Sequence, residues 1–385
     1  MTGVHVVHVY KDVYPPVAGG IEKHIDLIRR ALPDVESDVL VCARGPRGSR
    51  ELHGTGIEVK VAELGPRVWS VPIAPGFPAR LRRMRADVVH LHMPNPLGEL
   101  AVLTDHRRPL VCSYHADIVR QARVGPLYRR LIQACLGRAG SVVVGSRRLA
   151  ETSPFLGPFA EKAEVVPYFL DIDEFSIEHV SEQSRANLRA RYGTPVVLAV
   201  ARLVYYKGLD ILVEAARSLH ANVVIVGDGP LAAQLQGLAR SLPNVHFAGE
   251  VSDSELLCHF AIADCFVLPS TSRAESFGIS VLEAQAMSVP AVVTDVGTGT
   301  VEAISPGETG LVVAPGDADA LAAAIETILS DPMRREMMGR RARERVVLRH
   351  SAVDGVVRLR EIYERVASSP RRGLEDAPGT AVPCG

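Results

Sequence analysis

Paired cysteines, a membrane-length apolar run and a charge imbalance are all missing from this chain of 385 residues. Its six cysteines, Cys42, Cys112, Cys135, Cys258, Cys265 and Cys384, share no paired spacing and form no C-x-x-C. They read as reduced thiols used as small core residues. Aromatics are sparse at 5%. Val, Ala and Leu dominate instead, which favours buried parallel strands flanked by helices over an all-β sandwich. No apolar run approaches the roughly 20 residues of a membrane helix. A formal net charge of -1, with histidine neutral, gives no global pull toward nucleic acid. The opening Met1–Tyr10 enters a strand pattern without the basic segment and apolar stretch of a signal peptide. The expectation is a soluble, cytoplasmic protein, with peripheral contact at the inner membrane face left open.

What is present is alternation. Hydrophobic residues reach 47% of the chain, enough for real cores, and the length suits two α/β domains. Short β-branched runs predict strands at Val4–Val9, Asp38–Ala43, Ile57–Ala62, Val88–His90, Leu110–Tyr114, Ser141–Val144 and Ala163–Val166. A second set is predicted at Val196–Ala201, Val223–Val226, Val245–Phe247, Cys265–Leu268, Ala291–Thr294 and Gly310–Val313. Helical patterns lie between them, implying βαβ units and parallel sheets. Residues 167–175 show neither period, and a polar stretch, His179–Arg191, follows. The domains are therefore expected over 1–178 and 179–350. The helical stretch 351–367 is expected to cross back onto the first domain, and the Pro-, Gly- and Ser-rich 368–385 to be disordered. Two doubly wound domains place a cleft between the carboxyl ends of their strands, where open α/β sheets bind ligands.

The segment Ser270–Ala284 follows the strand Cys265–Leu268 and opens a helix. It carries Glu275 in the loop, Ser276, Phe277, Gly278 and Ile279 at the helix start, and Glu283 more than a turn inside. A free helix N-terminus binds phosphate, and glycine lets a ligand approach the backbone. Ionised carboxylates on either side accept hydrogen bonds from hydroxyls. Taken alone, two glutamates so spaced fit a solvated surface helix better than a site. Arg202 and Lys207 follow the strand Val196–Ala201 at the cleft edge. Cations at a helix start oppose its dipole, a conflict that a bound anion resolves. Gly227 lies in the turn Val226-Gly-Asp-Gly-Pro230, Gly19 and Gly20 precede the helix Ile21–Leu32, and His115 follows the strand Leu110–Tyr114. His5, His8, His90 and His92 read as strand packing or cleft lining, without metal-ligand spacing. Asp171-Ile172-Asp173 reads as linker.

Glu275 through Glu283 matches the E-x7-E motif of retaining glycosyltransferases of the GT-B fold, and the chain resembles their family four from about Val4 to Val366. Ala201–Gly208 is similar to that family's G-R-L-x-x-x-K-G element, with alanine first. The resemblance implies two facing Rossmann-like domains. It also implies that Glu283 binds the ribose, Glu275 the donor sugar, and the segment Phe277–Ile279 the diphosphate. Arg202 and Lys207 would stabilise the leaving group, Gly227 would lie near the base, the Gly19-Gly20 loop near donor phosphate and acceptor, and His115 at the reaction centre.

The implied reaction moves a hexose from a nucleoside-diphosphate sugar to a hydroxyl with retention of configuration, without metal or cofactor beyond the nucleotide-sugar co-substrate. His115–Gln121 and Gly297–Thr300 look similar to bacterial enzymes using GDP-mannose or related GDP-sugars in surface polysaccharide assembly, and UDP-sugars stay open. Acceptors of that class are often lipid-linked. Arg80, Arg82, Arg83 and Arg85, with Arg120, Arg123, Arg129 and Arg130, would suit anionic lipid or equally a solvated surface. Where the family pattern carries glycine this chain has Phe169, which is expected to crowd the cleft. An epimerase or hydrolase of the same fold, and a non-catalytic nucleotide-sugar-binding protein, are the alternatives. A Rossmann oxidoreductase lacks its G-x-G-x-x-G turn here.

Overall fold

The computed structural model describes residues 3–17, 19–43, 48–51 (backbone only), 56–67, 71–119 and 126–369. The disorder expected of the tail from residue 370, and the expected contacts of Arg120 and Arg123, lie outside the described residues. The first sheet holds β1 (His5–Val9), β2 (Glu36–Ala43), β3 (Gly48–Glu51), β4 (Ile57–Ala62), β5 (Val88–Met93), β6 (Leu110–Tyr114), β7 (Ser141–Val144) and β8 (Ala163–Val165). The second holds β9 (Val196–Val200), β10 (Asn222–Val226), β11 (Val245–Gly249), β12 (Cys265–Leu268), β13 (Ala291–Thr294) and β14 (Gly310–Val313).

Strand order is β3-β4-β2-β1-β5-β6-β7-β8 in the first sheet and β11-β10-β9-β12-β13-β14 in the second. Every pairing is parallel except β3 with β4. Both are doubly wound, with the order reversing beside β1 and beside β9, so each has its switch point at the cleft. The interior strands are rich in Val, Leu and Ile because helices cover both faces, with buried histidines set into β1 and β5.

The chain passes between the sheets through Val166–Pro195, where the helix Glu182–Tyr192 interrupts the polar stretch. Ser181 caps that helix by accepting from the Ser184 N–H at 3.1 Å, and Gly193 ends it at φ 80°. The helix Pro332–His350 belongs to the second domain. The next, Ala352–Ser368, returns to the first, where Leu359, Ile362, Tyr363 and Val366 join Val6, Val88 and Val111 in one core. Phe169 joins that same core at 2% exposure, beneath Gly355, whose added Cβ would sit 2.3 Å from Cδ1 of Phe169. This corrects the expectation that Phe169 crowds the cleft: it fills space that only a glycine on the returning helix leaves open. No described helix is long and apolar enough to cross a membrane.

Candidate functional site

The carboxyl ends of β9 and β12 bring Lys207 and Glu275 together. The Lys207 ammonium donates to Oε2 of Glu275 at 2.6 Å, and the Ser270 hydroxyl donates to the same oxygen at 3.0 Å. Oε1 of Glu275 is left with no partner among the described residues. Burial pulls the Lys207 pKa down, and the charge and hydrogen bond of Glu275 outweigh it, holding the ammonium above its ordinary value. The backbone of this motif is braced from the loop after β13. The Thr298 hydroxyl donates to the Glu275 carbonyl at 2.6 Å, and the Gly299 N–H to the Ser276 carbonyl at 2.8 Å.

Gly278 begins the helix Ile279–Ala286 in the left-handed region, φ 86° and ψ 70°, with no side chain capping the end. An added Cβ there would meet Leu268 Cδ2 at 2.4 Å, so both the backbone conformation and the space require glycine. The outcome is a helix N-terminus that no side chain caps, the kind of end that binds an anion. Phe277 is 3% exposed and packs against Tyr168, with ring centroids 5.3 Å apart. The Ser276 hydroxyl is buried beside Tyr168 without a hydrogen-bond partner of acceptable geometry. Glu283, half-buried one turn into the helix, has its pKa raised by burial, with Lys23 opposing.

Arg202 is exposed, on the loop after β9. The turn containing Gly227 supports that loop: the Leu203 N–H donates to the Asp228 carbonyl at 2.9 Å, and an added Cβ at Gly227 would lie 2.2 Å from the Ala201 carbonyl oxygen. Gly227 thus has a packing reason to be glycine independent of any base contact. From the first domain, Gly19 caps the helix Gly20–Ala31 in extended backbone, φ -92°. An added Cβ at Gly20 would be 3.5 Å from Ile279 Cδ1, so this loop lies against the second-domain helix start. Glu22, which no motif singled out, is 7% exposed just inside the helix. Burial raises its pKa, while Lys11 and Arg202 lower it, which places a first-domain carboxyl within the field of Arg202.

His115 is 5% exposed, and both ring nitrogens are engaged: Nε2 with Nδ1 of His92 at 2.9 Å, and Nδ1 with the Tyr168 hydroxyl at 2.8 Å. Direct contact with a sugar through the ring would break one of these bonds. Tyr168, from the linker, carries this network across to Phe277 and Ser276 of the second domain. Among the described residues His8, His90 and His92 hold ring nitrogens mutually within 4.8 Å, the geometry of a possible metal set. The two nitrogens of His90 are engaged by Tyr363 and Ser113, and those of His92 by His8 and His115.

Ion pairs close the cleft at its flank. Arg273 donates to Asp117 at 2.8 Å, and Arg148 to Asp295 at 2.9 Å. Glu302 accepts from the Arg148 N–H at 2.5 Å, capping the first-domain helix Arg147–Thr152 from across the boundary. On the other side Lys23 and Tyr14 each bond Asp253 at 2.5 Å. Arg273 lies two residues before the glutamate motif, yet its partner is 156 residues away, so no local pattern reveals its role.

Residues 180–345 match the family described as glycosyl transferases group 1, and residues 19–168 match a glycosyl transferase 4-like domain. The chain is 34% identical to a D-rhamnosyltransferase of Pseudomonas aeruginosa, covering 89% of this chain and 91% of that one. It is 30% identical to the O-antigen chain mannosyltransferase C of Escherichia coli, over 89% and 93%. It is 31% identical to a GDP-mannose-dependent α-(1-6)-phosphatidylinositol monomannoside mannosyltransferase of Mycolicibacterium smegmatis, over 89% and 92%. Among solved structures it superposes on the sucrose-phosphate synthase of Thermosynechococcus elongatus with a TM-score of 0.80 at 22% identity, over 94% and 99% of the two chains. The Anabaena protein HepE in complex with UDP and glucose gives 0.74 at 20%, over 94% and 100%. The fold is therefore GT-B, and the chain belongs to the group 1 family of glycosyltransferases, enzymes that take their sugar from a nucleotide-sugar donor.

Proposed function

We propose that this chain is a retaining, metal-independent hexosyltransferase using GDP-mannose or a related GDP-sugar, with a UDP-sugar as the competing donor. Its acceptor is a hydroxyl of a glycan, a lipid-linked glycan or a small molecule. The observation that carries this reading is the Lys207–Glu275 pair beside the uncapped start of Ile279–Ala286. The diphosphate sits on the helix end, with Arg202 and Lys207 neutralising the charge that develops as it leaves. The unpartnered Oε1 of Glu275 accepts from a sugar hydroxyl, Glu283 accepts from the ribose, and Gly19 and Gly20 close over the phosphates. Two cations and a helix dipole supply the positive field that a divalent ion supplies elsewhere, so neither metal nor cofactor is needed. The acceptor attacks on the face from which the nucleotide departs, and its proton passes to the leaving phosphate. Relatives named for D-rhamnosyl and mannosyl transfer, one of them GDP-mannose-dependent, support the choice of donor.

Proton NMR on the sugar first released by donor hydrolysis tests the stereochemistry. The α-anomer is expected, and initial appearance of the β-anomer overturns retention. Full activity in excess chelator is expected as well. Arg80, Arg82, Arg83 and Arg85 are exposed and carry no ion pair among the described residues, which supports peripheral contact with anionic lipid at the inner membrane face. Sedimentation with phosphatidylglycerol vesicles at low salt is expected to carry the protein down, and an unbound protein removes that contact.

A further inference from the structure

The first-domain histidines form a line of hydrogen bonds. Nδ1 of His8 meets Nε2 of His92 at 3.0 Å, Nδ1 of His92 meets Nε2 of His115 at 2.9 Å, and Nδ1 of His115 meets the Tyr168 hydroxyl at 2.8 Å. His8 and His92 come from neighbouring strands, β1 and β5, and His115 directly follows β6, so the sheet itself sets the spacing. His8 and His92 are 0% exposed. Burial pushes all three rings well below the ordinary histidine pKa, so each is neutral and carries one proton.

A neutral imidazole has one donor and one acceptor nitrogen, so each ring passes its direction to the next. Only two arrangements satisfy all three bonds. In one, every ring is protonated on Nδ1, His115 donates to the Tyr168 oxygen, and the Tyr168 O–H is free to donate elsewhere. In the other, Tyr168 donates to His115, every ring is protonated on Nε2, and the line ends in an N–H on Nε2 of His8. That nitrogen is buried and has no hydrogen-bond partner. A buried unpaired N–H is rarer and costlier than a buried unpaired lone pair.

We propose that His8, His92 and His115 form a polarised chain that makes Tyr168 an obligate hydrogen-bond donor into the cleft, aimed at an oxygen acceptor of the ligand bound beside Ser276. Tyr168 is held for that task. Its carbonyl accepts from Nδ1 of His350 at 2.7 Å, its ring packs on Phe277, and an added Cβ on Gly145 would overlap the ring at 2.1 Å. The unpartnered Ser276 hydroxyl lies beside it, so two hydroxyls converge on one place at the start of Ile279–Ala286. His8 and His92 are positioning residues that act through His115. The identity of the ligand rests on the transferase reading above, and the direction of the chain does not.

The deciding experiment reads tautomers. Long-range proton–nitrogen correlation of the full chain labelled with 15N-histidine reports which nitrogen of each ring carries hydrogen, and couplings across the N–H···N bonds link His8, His92 and His115 in order without substitutions. The expected result is Nδ1–H on all three, against the Nε2–H preference of an unconstrained histidine side chain. Nε2–H on His92 and His115 overturns the proposal whatever the protein transfers. The ligand half is tested by Tyr168→Phe, which keeps the ring packing. Its affinity for GDP and for GDP-mannose is measured by calorimetry. About tenfold weaker binding of both assigns the contact to a phosphate oxygen, and about tenfold weaker binding of GDP-mannose alone assigns it to a sugar oxygen. Unchanged affinity for both, in a folded variant, overturns the contact.

Discussion

Lys207 and Glu275 lie 68 residues apart in sequence and meet at 2.6 Å, their side chains 15% and 8% exposed. Removing either leaves the other partly buried and unpaired. Glu275→Ala and Lys207→Ala are each expected to lower transfer by a factor on the order of 10² to 10³, and to cost about 1–3 kcal/mol of stability. The double variant Lys207→Met/Glu275→Gln should regain much of the stability and none of the activity. Urea denaturation beside initial rates checks this, and wild-type rates in either single variant would refute the assigned roles.

Glu283 has its pKa raised by burial and lies opposite Lys23 of the first domain. If it binds the ribose in ground and transition states alike, Glu283→Ala should raise the donor KM about tenfold, worth roughly 1.4 kcal/mol, with kcat little changed. A variant that lost kcat at constant KM would move Glu283 from binding to the chemical step.

Acid should loosen the protein before its exposed carboxylates titrate, with buried Glu99, whose pKa burial raises to about 7, working in the opposite direction. Burial depresses His24 and His350 to about 4 and His90 to about 3, from an unfolded value of 6.5. A depressed pKa means that the unfolded chain binds more protons. The stability these groups lend is therefore present above pH 6.5 and is lost as the pH falls toward 4. Each histidine contributes at most about 1.4 kcal/mol per pH unit in that window. Thermal midpoints should drop steadily from pH 7 to pH 5, and a flat profile there would contradict the neutral, buried assignment.

Arg273 ties the glutamate motif to Asp117 across the cleft. Arg273→Ala is expected to leave both domains folded and to cut transfer about tenfold, because the first-domain groups are then less often in place. Small-angle scattering should show a larger radius of gyration. An unchanged radius and rate would mean that the remaining contacts hold the cleft closed alone.

The strands Leu110–Tyr114, Ser141–Val144, Cys265–Leu268, Ala291–Thr294 and Gly310–Val313 are readable residue for residue, since buried parallel strands are short apolar runs between breakers. Strand β3, Gly48–Glu51, is not, because a short antiparallel edge of Gly-Ser-Arg-Glu carries no apolar period. The helix Glu182–Tyr192 hides behind a mostly polar face, although Ser181 and Gly193 are capping signals for it. In the site, Glu275, Glu283, Arg202 and Lys207 are legible because each motif is local to one strand end. The partnership of His115 with His92 and Tyr168 is made by tertiary assembly of two strands and the linker, and no spacing encodes it. Phe169 misleads for the same reason: its space is set by Gly355, far along the chain.

The central claim, a nucleotide-sugar site built on Lys207, Glu275 and the start of Ile279–Ala286, is tested most directly by thermal shift against GDP-, UDP-, ADP- and dTDP-sugars. A ligand at a hundred times its Kd stabilises by about 2.7 kcal/mol. GDP-mannose should raise the midpoint most, and Glu275→Ala should lose the increment that the sugar adds over GDP. No shift with any nucleotide sugar, or the same increment in Glu275→Ala, would contradict it.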